Sequence, residues 1–305
     1  MSHVSKVNKD TKRPRPTKRI KTVSEFVESV VKWRFDGVPP TAFRGQRHYG
    51  WSSLPKIFRN ENDIYNSESL AVRDIVSLHP GEFESDKTMF DRLVRMQHFG
   101  LPTRLLDVTI NPLVALWFAS EPSLISDEHH GTVQALSIPK DRQRYYDSDR
   151  VSCMANIANL TKQQKEVLLD EAMSITDINE FNKSQIADIL VFHVGMEKPH
   201  FRKLINPDDL LRPVYVKPKM SNKRIIAQSG AFMLYGASLS PGKLGKRLRQ
   251  DRIWIHEEDK ASIRDDLAML GIHERTLFPE IDKSAKFISE SYGSRRNSRG
   301  IDSLL

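Results

Sequence analysis

Residues 95–120, RMQHFGLPTRLLDVTINPLVALWFAS, set six polar side chains directly before a short segment that is apolar on every face. Asn111 suits a helix N-cap, and Pro112 suits the first helical position, where its fixed φ is pre-organised and its missing N–H is not needed. The spacing predicts a helix from Pro112 to about Ser120. Leu113, Val114, Leu116, Trp117 and Phe118 leave it no polar side, so it must be buried on several sides. The segment before it is then anchored in a core. Gln97, His98, Thr103, Arg104, Asp107 and Thr109 are thereby held by rigid neighbours, as a binding or catalytic site requires.

The chain has 305 residues and is 39% hydrophobic, which excludes disorder throughout and allows one large domain or two small ones. No run approaches the ~18 apolar residues of a membrane span, and the basic N-terminus lacks the apolar stretch of a secretory signal, so a cytoplasmic protein is expected. The single cysteine, Cys153, has no second thiol for a disulfide or a Cys-rich zinc site and reads as a small apolar residue. His79, His129, His130 and His200 show no paired ligand spacing, and no metal is expected.

The formal charge of +8 is unevenly distributed. Residues 1–22 carry eight Lys and Arg against the one acid Asp10, a net +7 that leaves the other 283 residues near +1. This reads as a flexible basic arm that could neutralise DNA or RNA phosphates, or simply be a solvated tail. A second basic strip, KLGKRLRQDR at 243–252, allows the same two readings.

Helices are predicted from Thr22 to about Lys32, with capping-box spacing between Thr22 and Glu25, and over Ile64–Leu78 and Asp86–Phe99, the last carrying His98 just before Gly100. Strands are predicted at 41–45, 131–139, 213–218, 231–236 and 252–257 from their β-branched and aromatic content. Between the second and third of these, residues 142–211 show helical patterns and read as an inserted lobe. A helix over Asp259–Leu270 and another near 279–289 follow, with a mobile tail over 294–305. The expectation is an α+β protein: a small mixed β-sheet surrounded by helices, its domain running over 23–293. No Gly-rich phosphate loop, GxGxxG or HExxH is present.

Several blocks resemble the FRG domain family, named for its Phe-Arg-Gly signature. Phe43-Arg44-Gly45-Gln46 carries the signature, followed by Trp51-Ser52-Ser53-Leu54-Pro55. QHFGLPTRLLDVTINPLVALWFA at 97–119 is similar to the family's second block, with Val108 in place of a usual tryptophan and Phe99 in place of a tyrosine. RIIAQSGAFMLYG at 224–236 and LGIHERTLFPEIDKSA at 270–285 resemble its later blocks.

A more distant similarity is to ADP-ribosyltransferases that use, in chain order, an arginine, a Ser/Thr strand leading into a helix, and a late glutamate. Arg44, the Asp107-Val108-Thr109 turn and Gln228 fall in that order. The resemblance implies NAD as substrate, with Arg44 on its pyrophosphate, Thr109 on the nicotinamide ribose, and Tyr49 or Phe232 stacked on nicotinamide. Gln46, Thr103 and Arg104 join the implied NAD-binding set, and His98, Asp107 and Gln228 the catalytic one. Gln228 is neutral where that class has a carboxylate, so either another acid serves, Asp107 being the best placed by sequence, or the domain binds without transferring.

The implied function is modification of a nucleic acid or protein, with a toxin or phage-defence effector as its setting. The competing readings are a non-catalytic nucleotide or nucleic-acid binding module and a phosphoesterase using His98 and Asp107. Structural roles compete residue by residue. Arg44 could be ion-paired to Asp107, Arg104 could pair with Asp107 to rigidify the turn, and His98 could cap its helix.

Overall fold

The apolar segment after Asn111 forms the helix Pro112–Ala119, with Asn111 Oδ1 accepting from Leu113 N at 2.9 Å. Val114, Ala115, Leu116, Trp117 and Ala119 are all buried. In this computed structural model the described residues are 18–59, 63–122, 130–237 and 249–280. The basic arm before residue 18, most of the strip at 243–252, the helix expected near 279–289 and the tail lie wholly or largely outside them.

The helix rests on a mixed eight-stranded sheet. Its strands are β1 Lys18–Ile20, β2 Ala42–Gln46, β3 Leu105–Thr109, β4 Gly131–Ser137, β5 Gln143–Tyr145, β6 Val214–Lys217, β7 Gly230–Leu234 and β8 Arg249–Ile255. They lie in the order β1-β8-β4-β2-β3-β7-β6-β5, with β1–β8 and β5–β6 parallel and the other pairs antiparallel. The α+β class holds. The five expected strands are present within a few residues of their expected bounds, and three strands are additional. One of these, β3, is central: the segment expected as a turn is a strand, because Leu105, Leu106 and Val108 bury on the sheet's two faces while Asp107 stays exposed. Residues 18–20, expected in the arm, pair with β8.

Glycine sets how closely the helix approaches the sheet. A Cβ on Gly45 would fall 1.8 Å from the Ala115 carbonyl oxygen, and one on Gly131 would fall 1.9 Å from that of Ala119. β2 and β4 therefore meet the helix backbone to backbone, which no other residue type allows.

The helices Val23–Lys32 and Glu257–Met269 pack with this one against β4 and β8 in one core cluster. A larger cluster joins Met89–His98, β6 and β7 to the inserted lobe, whose helices include Asp149–Asn156, Lys162–Ser174 and Gln185–Gly195. The lobe is helical as expected, apart from β5 at its start. The helix expected over Ile64–Leu78 divides into a 3-10 turn, Asp63–Ser67, and the α-helix Glu68–Leu78. Thr88 and Asp91 form a reciprocal capping box that fixes where Met89–His98 begins, and hence where His98 ends it. Among the described residues, no helix is long and apolar enough to cross a membrane.

Candidate functional site

β2 and β3 share a single register pair, Phe43 with Thr109, whereas β2 pairs with β4 along its whole length. Where β2 and β3 part, the Asp107 carbonyl accepts from Arg44 Nη1 at 2.6 Å. Beside this opening is a cavity of about 240 Å³. Its lining comes from β2 (Arg44, Gly45), β3 (Asp107, Thr109), the end of Met89–His98 (Gln97, His98), the segment that leads into β7 (Asn222, Arg224, Gln228) and β7 itself (Phe232).

Among the described residues the Arg44 guanidinium has no ion-pair partner, and its Nε is buried without a hydrogen-bond partner. Burial pushes its pKa below the ordinary arginine value, the charge of Asp107 opposes that shift and Arg59 adds to it. It remains charged and under-partnered, a state that is costly unless something else satisfies it.

Thr109 organises the cavity floor. Its hydroxyl donates to the Gln228 carbonyl at 2.8 Å and accepts from Asn111 N at 2.9 Å, so it joins the start of the buried helix to the segment before β7. That segment turns at Ser229, whose φ of 46° is rare outside glycine and marks a locally strained backbone. The Gln228 side chain donates to the Leu277 carbonyl at 3.0 Å. Next to it Arg224 lies over the Phe278 ring at 4.7 Å. On the opposite side, Gln97 accepts from the Thr103 hydroxyl at 2.5 Å, and His98 Nε2 lies 3.6 Å from Glu280 Oε1.

Of the ten residues assigned to the NAD site from sequence, Arg44, His98, Asp107, Thr109, Gln228 and Phe232 line this one cavity. The other four do not. Gln46 is buried in an amide network, where its Oε1 accepts from Gln134 Nε2 at 2.6 Å. Tyr49 sits apart among aromatic rings, stacked with Trp254 at 5.2 Å and with His48 at 5.6 Å. Thr103 is 2% exposed and reaches the cavity only through Gln97.

Arg104 is fully buried and pairs not with Asp107 but with Glu68. Its Nε donates to Glu68 Oε1 at 2.9 Å and its Nη1 to the Gly236 carbonyl at 2.9 Å. Lys165, from the inserted lobe, completes the cluster with a 2.6 Å bond to Glu68 Oε2. Burial drives the Glu68 carboxyl upward, but Arg104 and Lys165 outweigh it and hold the group below the ordinary carboxylate value. Arg224, Asn222 and Glu280 were not named from sequence. Arg224 opens the block at 224–236, and Glu280 lies in the closing block.

The protein is thus an α+β molecule with a charged cavity where two central strands separate. Residues 39–128 match the model of the FRG domain, and the chain carries that domain. No curated protein and no solved structure matches the chain.

Proposed function

We propose that the cavity binds the phosphate and ribose portion of NAD, and that the protein is an ADP-ribosyltransferase-like enzyme modifying a nucleic acid or a protein. The observation that carries this reading is the under-partnered Arg44 guanidinium on a cavity shared with Arg224, Asp107, Thr109, His98 and Gln228. Two guanidinium groups suit a pyrophosphate, because their forked donors match its oxygens. The volume lies just below the ~300–1,000 Å³ of drug-sized sites, which fits one nucleotide end rather than a whole dinucleotide. The arrangement also agrees with the chain order of the ADP-ribosyltransferase resemblance: Arg44 on β2, Thr109 at the end of β3 leading into a helix, Gln228 just before β7.

In the proposed reaction the bond between ribose C1′ and the nicotinamide nitrogen breaks, and its electron pair leaves with nicotinamide. The acceptor nucleophile bonds to C1′ and its proton passes to His98. Asp107, exposed on the cavity wall, is the negative charge named from sequence to face the positive charge developing on the sugar.

Labelled NAD offered with DNA, RNA and lysate protein tests the reading. Label should enter one acceptor class and nicotinamide should be released, with a drop of at least ~100-fold for Arg44→Ala if the guanidinium acts on the transition state. A second reading, binding without transfer, has one specific observation in its favour: the Gln228 amide is already committed to Leu277. NAD binding with no turnover by the folded wild type would select it.

A further inference from the structure

The end of β2 leads into a row of aromatic rings that the cavity does not use. Trp51 and His48 are nearly parallel, at 6° with centroids 5.9 Å apart, and His48 and Tyr49 at 7° and 5.6 Å; Tyr49 in turn stacks on Trp254 at 5.2 Å. The chain just past β2 supplies the first three rings, and β8 supplies Trp254. Core packing does not account for the outer two. Tyr49 and Trp51 keep 42% and 41% of their surface exposed, where a ring serving a core would be covered. Arg47 lies over the Trp51 ring at 4.9 Å. A planar guanidinium stacked in this way keeps its in-plane N–H donors pointing past the ring edge, where a phosphate oxygen can meet them.

Positive charge reaches the row from a second source. Arg19, the register partner of Trp254, is already neutralised by Glu258 and Asp259. The chain before it is not so matched: residues 1–17 carry Lys6, Lys9, Lys12, Arg13 and Arg15 against the single acid Asp10. They join β1 at Lys18, which pairs with Ile253, the neighbour of Trp254. The basic segment therefore enters the sheet about one strand spacing, ~5 Å, from the row of rings.

We propose that this row is a docking platform for single-stranded nucleic acid, with bases stacked on Trp51 and Tyr49 and phosphates held by Arg47 and the basic segment. Every base has a π-face and every nucleotide a negative charge, so exposed rings beside cations bind single strands with little regard to sequence. A protein surface supplies acids for the cations but few flat faces for parallel rings. Arg47 lies three residues past Arg44, ~10 Å along an extended chain, so a strand on the row lies close to the cavity. The inference deepens the transferase reading by choosing nucleic acid over protein as the acceptor, and only in that respect rests on it.

The test is fluorescence anisotropy of the full chain, without NAD, against labelled probes of ~15 nucleotides: single-stranded DNA, single-stranded RNA, a DNA duplex, and an abasic strand that keeps the phosphates and lacks the bases. The variants are Trp51→Ala, Trp51→Phe and a triple change of Lys12, Arg13 and Arg15 to Gln, with circular dichroism confirming that each is folded. Trp51→Ala should bind an intact single strand ~10–100-fold more weakly, with the duplex and the abasic strand little affected, and Trp51→Phe should recover most of the loss. The stronger of the DNA and RNA responses identifies the acceptor. The triple variant should weaken all probes and lower the slope of log affinity against log salt by up to ~2 for single strands. Wild-type single-strand affinity in Trp51→Ala, or an abasic strand bound as tightly as an intact one, would overturn the platform. Absence of binding to any probe would overturn it too, while leaving a protein acceptor and the transferase reading intact. Trp51-dependent binding by a protein that never turns over NAD would uphold the platform and sink the transferase reading alone.

Discussion

Arg104 is a fully buried guanidinium and Arg44 a half-buried one whose Nε is closed off from solvent, and their partners separate their roles. Arg104 is saturated by Glu68 and two backbone carbonyls, whereas Arg44 has one carbonyl and an orphaned Nε. A saturated buried charge is structural, so removing one member of its cluster strands the others. Glu68→Gln should cost ~3–5 kcal/mol in denaturant unfolding at neutral pH. The pH dependence follows from the depressed Glu68 value. Its contribution is complete above the unfolded carboxylate pKa of about 4.3 and is lost as pH falls through the lower folded value. Between pH 7 and pH 3 the wild type should therefore lose more stability than Glu68→Gln, and parallel pH profiles would refute that account.

For Arg44 the expectation reverses. Replacing a half-buried, under-partnered charge by an apolar side chain of similar length removes a desolvation cost, so Arg44→Met should raise the melting temperature of the ligand-free protein, by about 2–4 °C for each kcal/mol gained. A fall would make the guanidinium a structural brace. The sequence placed both arginines in one ligand-binding set. Nothing local distinguishes them, because the partners of Arg104 lie 36 residues upstream and, through Lys165, in the inserted lobe.

At the level of elements, the helix Pro112–Ala119 was legible because its signals are local: a cap, a proline and an unbroken apolar surface. β3 was not, because Asp107 and Thr109 read as a polar turn. Only tertiary pairing with β7 along its full length makes LLDVT a strand. That pairing, with the single bridge to β2, is also what opens the cavity, so the site could be assembled from sequence as a group of residues but not as a shape. The contact between helix and β2 gives a sharp test. Gly45→Ala should destabilise by at least ~2 kcal/mol, since the added methyl meets a backbone carbonyl that cannot swing away. Gly81→Ala, where a Cβ meets nothing within 4 Å, is the control. It sits in the short helix Pro80–Phe83 and should be neutral or slightly stabilising. Equal thermal shifts for the two would remove the close approach as the cause.

For the whole molecule, the sheet order matters most. The matched stretch 39–128 supplies β2 and β3, the middle of the sheet, while β4 and β8 on one side and β7, β6 and β5 on the other come from later in the chain. One side of the cavity wall, from Asn222 to Phe232, is also outside it. Fragments 1–128 and 129–305 should each lack native near-ultraviolet dichroism and regain it on mixing, because one holds β2 and β3 joined by a single register pair, with β1 cut off from its partner β8, and the other two ladders with their centre missing. A folded 1–128 fragment would contradict this. The glycine of the Phe-Arg-Gly signature, pressed against the Ala115 carbonyl, answers to the distance between a helix and a strand rather than to any ligand. Chains that share that glycine share a way of laying a helix on a sheet, and two of them can carry the same three letters while catalysing different reactions or none.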